Sequence, residues 1–116
     1  MTFKTVTSVG LTLPDVEVSQ RWSGPTLTTG GVFVAGIAAH ASAEPQTLVV
    51  RCEFEDRARL IEDAPGTYYV TEFYERYPLV LARLTELNQD ALRDLLSVSR
   101  RLALEKTPKG RRSSYV

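Results

Sequence analysis

The chain has 116 residues, 43% apolar and 24% charged, with fourteen basic and fourteen acidic side chains that cancel. That is one domain, with room for a single core but not for two, and a net charge of zero makes no case for nucleic acid. A single cysteine, Cys52, excludes an internal disulfide, and with His40 as the one histidine no Cys/His zinc set can be assembled.

The charge is unevenly spread. Residues 1–99 carry eight Lys/Arg against thirteen Asp/Glu, a balance of −5, and residues 100–116 carry six against one, a balance of +5. An acidic body with a basic end is most often a solvated arrangement, although such an end also attracts anionic surfaces. The N-terminus has no apolar segment of the signal-peptide kind. The longest apolar run, residues 32–39, is far short of the roughly 20 residues that span a bilayer. The expectation is a cytoplasmic protein with no membrane contact, no metal and no cofactor.

Residues 3–13 place Phe3, Val6, Val9 and Leu13 at helical spacing, with Thr2 as N-cap and Pro14-Asp15 as stop. Residues 16–22 alternate as a short strand. Ser23-Gly24-Pro25 and Gly30-Gly31 are turns flanking a second strand. Residues 32–39 read as a buried strand, 40–46 as a polar loop and 47–52 as the next antiparallel strand. Cys52 ends that apolar run and is read as a buried, inert thiol.

At Phe54 the period changes. Phe54, Ala58 and Ile61 share a helical face over residues 54–63, and Glu53, Glu55 and Asp56 complement the positive end of the helix dipole. Ala64-Pro65-Gly66 closes this helix. Residues 67–84, TYYVTEFYERYPLVLARL, hold four of the five tyrosines. Alternation over 68–73 predicts a half-buried strand, 75–78 a connector and 79–84 a second strand. Asn88 then caps a helix with a stripe of Leu92, Leu95, Leu96, Ser99, Leu102 and Ala103, which Lys106-Thr107-Pro108 ends. The expected order is α-β-β-β-β-α-β-β-α, an α+β domain over residues 1–106 with an antiparallel sheet and helices on one face. A basic C-terminal tail of residues 107–116 follows.

Catalytic patterns are few. His40 lies in a loop without partners, and Gly30-Gly31 lacks the context of a phosphate loop. The carboxylates sit at helix ends. No catalytic residue is assigned, and a Cys52-dependent activity is the minor alternative. The binding signal is stronger. Tyr68 and Val70 are expected on one face of the 68–73 strand and Tyr69, Thr71 and Phe73 on the other, so one aromatic set faces solvent near Arg76 and Arg83. Aromatics beside arginines stack on bases and hold phosphates, and they are equally enriched in protein interfaces. The candidate binding residues are Trp22, Tyr74, Arg76, Tyr77 and Arg83, helped by Arg100, Arg101, Lys109, Arg111 and Arg112 of the basic end.

Across residues 3–106 the chain resembles the MmcQ/YjbR family of small bacterial proteins. The resemblance is carried by Leu13-Pro14-Asp15-Val16-Glu17, Gly31-Val32-Phe33-Val34, Leu48-Val49-Val50-Arg51-Cys52 and the run Tyr74-Glu75-Arg76-Tyr77-Pro78-Leu79 before Asn88. It implies a DNA-binding-like, double-wing α+β fold, makes residues 3–13 helical, and implies DNA as partner. The alternative is a module that binds a protein partner or a small molecule through the same aromatic surface.

Overall fold

A computed structural model of the chain describes residues 1–21 and 24–106. Three helices and a six-stranded sheet follow in the order α1 (Phe3–Gly10), β1 (Val16–Arg21), β2 (Gly24–Thr29), β3 (Val32–Ile37), β4 (Thr47–Arg51), α2 (Phe54–Asp63), β5 (Tyr68–Tyr69), β6 (Leu79–Arg83) and α3 (Gln89–Leu104). Every strand pairing is antiparallel, and the sheet order is β1-β2-β3-β4-β6-β5.

The central strands bury both faces. Thr47, Leu48, Val49 and Val50 of β4 are all buried, which is why this stretch reads as a continuous apolar run and not an alternating one. On one face Leu48, Val50, Val80 and Ala82 meet the stripe of α3, with Val6 and Val9 of α1 and the half-buried Leu60 and Ile61 of α2 beside them. Asn88 caps α3 by accepting from the Ala91 N–H at 2.8 Å. Gly10 lets α1 approach the sheet, because a Cβ there would lie 2.6 Å from a buried Leu27 methyl. On the opposite face none of the described helices contributes to the core. A smaller core of Val49, Leu81 and Tyr74 is covered there by the chain itself, with Phe33, Tyr69, Val70 and Leu79 around it.

Several boundaries differ from the sequence expectation. The first helix stops at Gly10, and residues 11–15 turn instead, ending at Asp15 with φ 63. The Thr2 side chain makes no capping bond. β3 ends at Ile37, two residues early. Its register against β2 shifts between Leu27 and Thr28, so Val34 stands as an extra residue between Phe33 and Ala35.

The largest correction concerns residues 68–73. Only Tyr68 and Tyr69 pair with β6, and the chain then turns through residues 71–77. The turn lays the Tyr74 ring over the helix-free face, against Val49 and Leu81. Burying that ring outweighs two more strand pairs at an edge, which is how tertiary packing overrides a period-2 pattern.

Candidate binding face and cleft

The connector of residues 70–78 is bound to its neighbours from two sides. Arg57 of α2 donates to the carbonyls of Glu75 and Tyr77 at 3.0 Å each and of Leu79 at 3.2 Å. From the other side the loop of residues 38–46 meets it. The His40 N–H donates to the Tyr74 hydroxyl at 3.2 Å, and Ser42 and Thr71 hydroxyls lie 2.9 Å apart. The His40 ring stacks on Phe73 with centroids 3.6 Å apart, and Tyr74 stands edge-on to both rings. The Tyr69 hydroxyl accepts from the Glu44 N–H at 2.8 Å and lies 2.6 Å from the Thr47 hydroxyl.

What remains uncovered is an apolar strip. Phe33, Ile37, Ala39, Val49, Tyr74, Tyr77 and Leu79 line a shallow, open groove of about 320 Å³. Ile37 is 40% exposed, and Phe73 and Tyr77 beside it are 43% exposed. Glu72, Glu75 and Arg76 are exposed around this strip.

The candidate residues divide sharply. Tyr74 and Tyr77 come together on this face, with Tyr74 buried as a support and Tyr77 at the surface. Arg76 is exposed beside them. Arg83 is already engaged: its guanidinium forks onto Glu44 at 2.9 and 2.7 Å, donates to the carbonyls of Pro65 and Gly66 at 3.2 Å, and lies 4.2 Å over the Tyr69 ring. That hydrogen-bonded guanidinium holds the Glu44 carboxyl below its usual range. Arg100 is likewise turned inward, donating to the Pro14 carbonyl with Asp15 3.7 Å away. Arg101 is exposed on the last turns of α3, apart from the aromatic strip. Trp22, Lys109, Arg111 and Arg112, together with the tail of residues 107–116, lie outside the described residues. Sequence reasoning missed Phe33, Ile37, Val49 and Leu79, because their alignment across the open face depends on register and on the Val34 bulge.

A cleft opens on the other side of the sheet, between α2 and α3. It measures about 460 Å³, with Arg51, Cys52 and Tyr68 at its base and Leu60, Leu95 and Val98 on its walls. Cys52 is buried, and burial pushes its thiol up to about 11 with the Asp56 charge adding to the effect. A thiol held protonated in this way is a poor nucleophile. No group of described His, Cys, Asp and Glu residues has the arrangement of a metal site. No described helix is long and apolar enough to cross a membrane.

No known family model matches the chain, and no curated protein does either. Among solved structures, a crystal structure of a protein from the DUF1801 family, YdhG of Bacillus subtilis, aligns with a TM-score of 0.47 and 19% sequence identity, covering 80% of this chain and 68% of that one. A likeness at that level assigns neither family nor activity to this chain. The resemblance to the MmcQ/YjbR family does not stand, since no family model matches the chain. The motifs that carried it are a hairpin, a buried strand and an aromatic connector, elements that unrelated α+β sheets share.

Proposed function

We propose that this protein is a non-catalytic binding module whose helix-free sheet face takes a protein segment with apolar side chains flanked by basic ones. The observation that carries the reading is the exposed strip of Ile37, Phe73 and Tyr77 around the groove on that face. A contiguous apolar surface set on a rigid sheet is the usual mark of a docking site. The groove is too shallow to enclose the 70–90% of a small ligand that a dedicated pocket buries, so a protein surface fits better. Charge complementarity selects the flanks, because residues 1–99 carry the −5 balance and Glu72 and Glu75 stand beside the strip.

DNA is the weaker reading. Arg83 and Arg100 spend donors on groups of the chain itself, and Arg76 directly follows the exposed Glu75. Phosphate contacts supply most of the affinity of a DNA binder and make it fall steeply with salt. Fluorescence anisotropy with labelled duplex and single-stranded DNA at low and moderate salt tests the difference. The expected result is no saturable binding, and saturable binding that weakens with salt contradicts the proposal. Sedimentation of the purified protein over a range of concentrations is expected to show a monomer, whereas a dimer abolished by Tyr77→Ser would assign the face to a second copy.

A further inference from the structure

Two hydrogen-bond donors, from Tyr68 and Arg51, line the base of the α2–α3 cleft. Tyr68 is only 7% exposed, and its hydroxyl bonds to no described protein group; since no buried side-chain polar atom among the described residues is left unpaired, that hydroxyl is open to water in the cleft. A ligand oxygen in the cleft would take the place of water on that hydroxyl. Arg51 is half-buried at the same base. Its Nε donates to the Phe33 carbonyl at 2.7 Å, which fixes the plane of the guanidinium, and no described carboxylate lies within ion-pair distance of it. Burial alone makes its charge less favourable, with no acidic neighbour offsetting the cost.

The rest of the cleft defines what would satisfy these groups. Leu60 from α2 and Leu95 and Val98 from α3 form apolar walls over a volume of about 460 Å³, within the range of small-ligand sites. Asp56 is already paired with Arg59. Asp63 and Asp94 are exposed on the two helices at the rim. The Asp94 charge reaches the Tyr68 phenol and helps to keep it protonated as a donor, and with Asp63 it opposes a ligand with a second negative charge.

We infer that the α2–α3 cleft is a binding site for a small monocarboxylate with an apolar body, its carboxylate accepting from the Tyr68 hydroxyl and the Arg51 guanidinium and its body lying between Leu60, Leu95 and Val98. The site is separate from the open face, so failure of either reading leaves the other standing.

The test is an NMR titration of the ¹⁵N-labelled chain with 3-phenylpropionate, using 3-phenylpropanamide and phenylsuccinate as neutral and dianionic counterparts. Saturable shifts are expected at residues lining the cleft, with both counterparts binding more weakly. Tyr68→Phe removes a hydroxyl that bonds to no described protein group in the free chain, so it should leave the thermal midpoint unchanged and weaken phenylpropionate about tenfold or more. Val98→Phe, which fills the cleft from α3, should abolish the shifts. The inference is overturned if phenylpropionate gives no saturable shifts, if the amide binds as tightly as the acid, or if Tyr68→Phe and Val98→Phe both bind like the parent chain.

Discussion

Ser99 lies wholly inside the molecule, and its hydroxyl donates to the Val34 carbonyl at 2.8 Å. Val34 is the extra residue of the β2–β3 register shift, so this bond ties α3 to the point where the sheet departs from regular pairing. Ser99→Ala leaves that carbonyl buried without its partner and should cost about 1–3 kcal/mol in a urea titration, well beyond the effect of losing a solvated hydroxyl. Cys52 gives a second prediction at this scale. With the thiol pushed up to about 11, roughly one in a thousand is ionised at pH 8, so a disulfide reagent should label it only after unfolding. The same shift sets a pH dependence. From an ordinary value of 9.0 to about 11 the folded chain keeps a proton that the unfolded chain releases, so stability falls as pH rises through that window. The Tyr68 phenol, also raised by burial, adds to the fall, and Cys52→Ala should remove the thiol's share of it.

Among the elements, α2 and α3 were legible in the sequence because a 3.6-residue stripe and a cap are local signals. Phe54–Asp63 has the expected bounds, and Asn88 caps α3 with its own side chain. The 68–73 segment was not, since alternation records which residues are apolar and says nothing of whether a partner strand is in register. Tyr74 decides the matter by filling the second core, and it is held there through His40 and the Arg57 clamp. Arg57 reads from sequence as one more charge on a solvated helix face, and its three bonds to connector carbonyls appear only once α2 lies beside the connector. Arg57→Leu should therefore act locally. Amide exchange at Tyr74, Glu75 and Tyr77 is expected to accelerate, while global stability changes by about 1 kcal/mol or less, because most of the freed carbonyls find water.

For the whole molecule, the sheet separates two surfaces of different chemistry. One face is covered by the three described helices, with the α2–α3 cleft opening between two of them, and the other is covered by the connector and keeps an apolar strip at the surface. The aromatic half of this arrangement was visible in the sequence as the tyrosines of residues 67–84. The inward turn of Arg83 and Arg100 was not, because the acceptors that hold them, Glu44 and Pro14, are remote in sequence. Central to the account is the helix-free face as a docking site for an apolar, basic protein segment. Its most direct test is affinity capture from nuclease-treated cell extract, comparing the parent chain with the Ile37→Ser/Tyr77→Ser double variant, followed by titration of the captured protein in purified form. The account predicts a partner that survives nuclease, binds the purified parent chain directly, and loses that binding in the variant although the variant keeps its fold. A captured protein that binds both forms equally, or whose retention requires nucleic acid, would contradict it.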